Sequence, residues 1–468
     1  MTTRFPDLSR REARQLARPI AQQRLSQSLA SRPLDRFPFE GDFNTPGYER
    51  QTTLGARLQG EWLVGALQIQ SITSFIRYDR ETLIDADFSP AEFFEFASED
   101  DAWQVTQDLR VSGELESAPI RWSTGGFYLQ EQLDFDLATL NAVPGVDPLF
   151  QAYEQETFAL GLFADVSWDF LDDFTLDAGF RYNWQQKTFD AEIFLGANRS
   201  SDQCRERVGG IPPCKRTVTV DHPTGLIQLE YRFDELRSAY VKYNHGWKGV
   251  QFSPRDGRRA QEVTDVADPE VIDAFEVGFE GSWLDARLKM NAAFFWYSYQ
   301  NYQVFTFTND VGVPPSRIVI NASDAQLYGA ELETTLEPID RLTLEIRSSW
   351  IESRFLDFTA SGARVIPGSN PPQTFRQVLD FNGNPLPNAP RFKVSATLQY
   401  DLDLGRFGSF VPRYDVVWTD EVAFDPSDGR GAPNAGGEIF MPKNAIGQGA
   451  FWLHNLRVTY RAPGARLE

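Results

Sequence analysis

The chain predicts an all-β protein, an antiparallel up-and-down transmembrane β-barrel with about fifteen strands of a larger barrel. Three observations carry that reading. Apolar and polar residues alternate with a period of two over runs of eleven to fifteen residues, against ~5–6 for an ordinary globular strand. Short and long connections between the runs alternate strictly. Trp and Tyr gather near the strand ends, on the apolar face, in two bands. A soluble β-sandwich also alternates, but Greek-key connections give no reason for the second observation and water gives none for the third.

In chain order, alternation places strands near 50–59, 65–78, 103–113, 119–130, 155–169, 173–186, 223–233, 237–247, 272–283, 286–299, 325–337, 341–353, 389–401, 409–418 and 449–461. The cleanest runs Phe174, Leu176, Ala178, Phe180, Tyr182, Trp184 against Thr175, Asp177, Gly179, Arg181, Asn183 and Gln185. Pro412 is awkward inside its strand, because proline cannot donate to a ladder.

The short connections are Gly60–Val64, Glu114–Ala118, Phe170–Asp172, Asp234–Leu236, Leu284–Asp285, Pro338–Asp340 and Leu402–Gly408. The long ones are 79–102, 131–154, 187–222, 248–271, 300–324, 354–388 and 419–448. In a transmembrane barrel the short turns face the periplasm and the long loops face outside. Trp168, Tyr231, Trp283, Tyr400 and Tyr460 then mark the inner lipid interface. Trp184, Trp247, Trp296, Trp350, Trp418 and Trp452 mark the outer one. The opposite face, with Glu230, Lys242, Glu276, Glu280, Glu331, Glu333, Glu345 and Arg347, lines the lumen.

Composition narrows the function. The net charge of −21 argues against nucleic acid as a partner, since phosphate binding needs a basic surface. No run reaches the ~18 apolar residues of a spanning helix, which leaves strands that need only ~9–11 residues. Residues 1–49 are expected to be a mobile or weakly helical extracellular segment without a signal peptide, and 50–468 a partial barrel. An odd strand count with termini on opposite sides is unlike single-chain bacterial barrels, which are even-numbered, and predicts strands missing at both ends.

Several stretches resemble one family. Glu276-x-Gly278, the turn at Asp285, Asn291-Ala-Ala-Phe294 and its following aromatics, Asn321-Ala322, and Tyr328-Gly329-x-Glu331-x-Glu333 stand in order within 268–336. Together with 239–254 and 176–190 they resemble the barrel of TonB-dependent outer-membrane receptors. That resemblance implies a Gram-negative outer-membrane protein importing a bulky nutrient such as a ferric siderophore or other metal chelate. It also implies a 22-stranded barrel, an N-terminal plug and energy from the TonB complex. No plug-like segment or TonB-contacting box is read before residue 50. A passive porin-like or structural barrel is the alternative.

Outer-mouth residues on the lumen side are the candidates for ligand binding: Asn183, Gln185, Asn244 and Lys248, joined by Tyr297, Tyr299, Asn301 and Tyr302 at the entry to the 300–324 loop. Cys204 and Cys214 fall in one outer loop beside Pro212-Pro213 and read as a loop-stapling disulfide. The acid-rich 79–102 lacks the spacing of an EF-hand, and its charge reads as solvated. With His222, His245 and His454 scattered, no catalytic or metal site is expected, no cofactor is implied, and the chain is not read as an enzyme.

Overall fold

The computed structural model describes residues 44–85, 94–141, 149–195, 201–202, 204, 214–253, 264–308, 316–365, 374–427 and 447–463. Fifteen long strands form one antiparallel meander. They are β1 Tyr48–Val64, β2 Leu67–Asp85, β3 Phe94–Glu114, β4 Ile120–Asn141, β5 Leu149–Leu171, β6 Phe174–Leu195 and β7 Lys215–Asp234. Then follow β8 Arg237–Lys248, β9 Glu270–Trp283, β10 Leu288–Thr308, β11 Ser316–Ile339, β12 Leu342–Asp357, β13 Phe392–Tyr400, β14 Ser409–Thr419 and β15 Phe451–Arg461. Each pairs with its sequence neighbours, and among the described residues β1 and β15 do not pair with each other. Residues 1–43, and with them most of the segment expected to be loose, lie outside the described residues; β1 starts two residues inside it.

Register carries one face through the whole sheet. Leu160 stands opposite Trp184, Val241 opposite Val277, Trp296 opposite Tyr328, and Trp418 opposite Trp452. That face leaves Leu58, Leu162, Phe180, Val241, Val277 and Phe294 exposed, as a surface solvated by acyl chains requires. The aromatic bands are in contact across strands: Phe174 on Tyr231 at the inner interface, Tyr328 on Trp350 and Phe275 on Trp296 at the outer. On the opposite face charges pair, Lys242 with Glu276 at 2.8 Å and Arg413 with Asp415 at 2.9 Å.

Several boundaries differ from the expectation. β1 continues through Gly60–Val64, and the turn is Gly65–Ala66, where Gly65 takes a φ of 63° open to glycine without a Cβ clash. The turn after Trp283 spans 284–287, with Leu284, Asp285 and Ala286 all left-handed. Pro412 is inside β14, at the gap where the ladder to β13 stops at Gln399–Arg413 and resumes at Leu402–Phe410, so its missing N–H costs no bond on that side. The largest difference lies above the outer band. Strands β2–β7, β10 and β11 are 19 to 24 residues long and rise well past the membrane, through much of what alternation assigned to loops 79–102, 131–154, 187–222 and 300–324. Within 354–388 a further hairpin pairs Thr359–Val365 with Thr374–Asp380.

The geometry of the Glu-x-Gly stretch has a direct physical cause. The Tyr240 ring on β8 lies over Gly278 on β9, so close that a Cβ there would sit 2.2 Å from the ring. From that position the Tyr240 hydroxyl donates to Glu276 Oε1 at 2.7 Å, and Lys242 donates to the same oxygen at 2.8 Å. The glycine makes room for the ring, and the ring and the lysine satisfy the carboxylate.

Candidate functional site: a cavity at the outer end of the lumen

Above the outer aromatic band the inward positions of β3–β6 change character. Below Trp184 the apolar residues of β6 are even-numbered and face lipid; beyond it Phe189, Ala191 and Ile193 are odd-numbered and buried inward. Water now bathes the outside, so the apolar residues turn in and pack on one another. Tyr153 lies between Phe135 and Phe189, with ring centroids 4.7 and 5.0 Å away, and Phe189 stacks on Phe252 at 4.9 Å. Phe252 belongs to the segment Gly249–Ser253, which leaves β8 and packs beside Leu149, Phe189 and Cys214.

This aromatic ladder forms one wall of a cavity of about 760 Å³. Its polar lining includes Gln151, Gln155, Gln185, Lys187, Lys248 and Gln303. Gln303 is 7% exposed, and its amide donates to the carbonyls of Gly249 and Asp268, both at 2.9 Å. Among the described residues, the side-chain oxygens of Gln185 and Gln303 have no hydrogen-bond partner. Lys187, three residues outward of Trp184, has its pKa pushed down by burial and by Lys248, with Glu131 acting in the opposite sense. Neither lysine ammonium forms an ion pair among the described residues, unlike Lys242 deeper in the lumen. The cavity thus offers two cationic donors, two unpaired acceptors and aromatic walls. A comparably sized concavity, lined by Ala292, Phe294, Ala330 and Trp350, lies on the acyl-facing side of the sheet, away from the lumen.

Of the residues expected at the mouth, Gln185 and Lys248 line this cavity. Asn183 does not: its amide donates to His222 O and Thr224 Oγ1 at 3.1 Å each, tying β6 to β7. Asn244 stands opposite Leu226 and Ala274 lower in the wall. Tyr297 stacks on Phe295 at 5.1 Å. Tyr299 and Tyr302 meet edge-to-face at 5.3 Å and pack with Phe355 and Phe358 in a separate cluster. Two residues three apart share this side because Asn301 between them is left-handed, with φ 54°, which breaks the period of two. Asn301 itself is exposed, its carbonyl held by Asn321 Nδ2 at 2.7 Å.

Lys187, Gln303, Tyr153 and Phe189 escape a reading that ends strands where apolar–polar alternation loses its phase. The signal is present: from Thr188 to Ile193 alternation continues with the opposite phase. Cys204 and Cys214 are joined by a disulfide, and Cys214 is buried against the Phe189 cluster. The histidines are not all scattered: His222 and His245 stand 2.9 Å apart, Nε2 to Nε2. Among the described residues no group of three or more potential ligands could hold a metal ion.

The family model described as TonB dependent receptor-like, beta-barrel matches residues 2–467. Among solved structures, the chain is similar to the ferric yersiniabactin uptake receptor FyuA from Yersinia pestis, with a TM-score of 0.67 and 16% identity over 89% of this chain and 55% of that one. The siderophore receptor PiuA from Acinetobacter baumannii gives 0.64 and 15% over 89% and 59%, and the copper transporter OprC 0.59 and 12% over 88% and 59%. The chain thus spans less than two thirds of the length of these structures. Sequence pattern, fold and family model agree, and the chain belongs to the β-barrel family of TonB-dependent receptors of the Gram-negative outer membrane.

Proposed function

We propose that this chain is the barrel portion of an outer-membrane receptor for TonB-dependent uptake of a bulky nutrient, of the ferric siderophore type. The observation that carries the reading is the outer-lumen cavity of about 760 Å³ with Lys187 and Lys248 at its wall, neither in an ion pair among the described residues. An anionic metal chelate has the size to enter such a space and the charge to pair with both ammonium groups, and its flat rings or chelate faces suit Tyr153, Phe189 and Phe305. The similarity to FyuA, a ferric yersiniabactin uptake receptor, and PiuA, a siderophore receptor, supports the same class, while OprC, a copper transporter, marks the competing cargo. TonB is the energy-coupling partner in this reading, engaged by the whole receptor.

The test is equilibrium binding to the bilayer-reconstituted protein, read by quenching of tryptophan fluorescence. Titrants are an anionic ferric catecholate, a neutral ferric trihydroxamate and Cu²⁺. Saturable binding of the anionic chelate is expected, weakened at least ~10-fold by Lys187→Gln with Lys248→Gln, since a charged hydrogen bond contributes ~1.5–3 kcal/mol. Binding of Cu²⁺ alone would move the cargo to the metal ion. Unsaturable passage of small solutes with no chelate binding would replace the receptor reading with a passive barrel.

A further inference from the structure

We propose that His222 and His245 form a proton-operated latch that ties the outer extension of β7 to β8. The ladder between these strands ends at Gly225 opposite His245, yet β7 continues outward to Lys215, paired from there on, among the described residues, with β6 alone. A gap therefore opens between the extension and β8. Across it reach His222, whose Nε2 lies 2.9 Å from His245 Nε2 and whose ring stacks on His245 and Trp247 with interplanar angles of 28° and 11°. Farther out, Arg216 donates to Thr264 O at 3.0 Å.

The protons in this contact can be placed from its partners. Asp273 Oδ1 accepts from the Tyr243 hydroxyl at 2.6 Å and from His245 Nδ1 at 2.8 Å. Neutral His245 therefore carries its hydrogen on Nδ1 and presents a lone pair at Nε2, to which His222 donates its Nε2–H. One hydrogen lies between the two facing nitrogens. When both rings are protonated, each facing nitrogen bears an N–H, no lone pair remains between them, and two cations adjoin. The groups facing the pair are Asp221 on β7, held by the Tyr182 hydroxyl of β6 at 2.6 Å, together with Tyr243 and Trp247 on β8 and Asp273 on β9. The two carboxylates offset the added charge but cannot restore an acceptor between the rings. Double protonation thus opens the contact.

The β6–β7 extension that the latch restrains carries Phe189 and Cys214, which pack against Phe252 at the cavity wall. Acid would therefore loosen that wall, a consequence that rests on the proposed function, whereas the latch itself does not.

The experiment places nitroxide labels at Thr219 on β7 and Val271 on β9, on either side of the contact, in the reconstituted full chain. Pulsed electron paramagnetic resonance then measures the distance distribution at pH 7.5 and pH 5.0. The expected result is a narrow distribution at pH 7.5 that broadens and moves to longer distance at pH 5.0. In His222→Gln, where an uncharged amide can still donate to His245, it stays narrow at both pH values; in His454→Gln it broadens as in the parent. An unchanged parent distribution, or the same broadening in His222→Gln, overturns the proposal.

Discussion

Asp79 on β2 stands directly opposite Asp101 on β3, and the same cross-strand row continues through Asp134, Glu154 and Asp190 before Lys215 ends it. Five carboxylates thus stand side by side on the exterior, one step beyond the Trp103 position. Like charges directly opposite each other destabilise a sheet. Arg77 relieves the first pair, reaching Asp79 at 3.2 Å and Asp101 at 2.6 Å, and Lys215 reaches Asp190 at 3.1 Å.

Asp101 and Glu154 of this row, and Glu99 one row farther out, favour the folded state of β3 and β5 in mild acid, separately from the His222–His245 contact at the β7 edge. Burial, then Asp79, raises the pKa of Asp101; burial, then Asp134 and Glu156, raises that of Glu154; burial, then Glu81, raises that of Glu99. At these three groups the folded chain binds protons at a higher pH than the unfolded chain does, and their contribution to stability rises as pH falls through the raised values; the bond to Asp101, then Arg77, hold Asp79 below its ordinary value and act in the opposite sense. Thermal unfolding should occur at higher temperature just above the ordinary carboxylate range than at pH 7.5, and 0.5 M NaCl should reduce the difference by screening. Asp101→Asn should remove part of it, stabilising the neutral-pH protein by about 0.5 kcal/mol for an exposed pair.

The same row shows what the sequence made legible. Within the membrane, alternation located all fifteen strands, because lipid on one side and a wet lumen on the other impose one phase on every strand. Beyond Trp184 and its neighbours both environments change, and the phase inverts: Leu133, Phe135 and Leu137 turn inward while Asp134 and Asp136 turn out. A search for one continuous phase stops at that level and hands the remainder to loops. Gln185 and Lys248 lie at the boundary, within reach of the alternation, whereas Lys187 and Gln303 lie beyond it. Tyr299 and Tyr302 stand in a separate cluster for a different reason, the single left-handed Asn301, which asparagine permits but does not announce.

Gly278 should tolerate no large side chain. Gly278→Leu would drive the Tyr240 ring off Glu276 and leave a partly buried carboxylate with Lys242 alone. A loss of about 1–3 kcal/mol is expected from overpacking. Adding Tyr240→Ala should recover part of it by reopening the space, which urea unfolding of the double variant in lipid would show.

The disulfide holds Cys214 in the cluster of Leu149, Phe189 and Phe252. Replacing both cysteines by serine should cost about 2–3 kcal/mol for a loop of this length. The loss is local: amide exchange should quicken around Phe189–Ile193 and Lys215–Val218, with the membrane-level part of β6 unchanged. Uniform destabilisation of the whole strand would contradict that.

The most direct test is a nitroxide scan along β6, from Phe174 to Ile193, in lipid bilayers. Collisions with dissolved oxygen should peak at 176, 178, 180 and 182, where the side chains face acyl chains. Collisions with a water-soluble nickel complex should peak at 186, 188, 190 and 192, while 189, 191 and 193 stay protected from both inside the cavity wall. A strand that meets the nickel complex at 176–182, or whose oxygen maxima run on unbroken to 192, would contradict a membrane-spanning barrel whose outer lumen holds the ligand cavity.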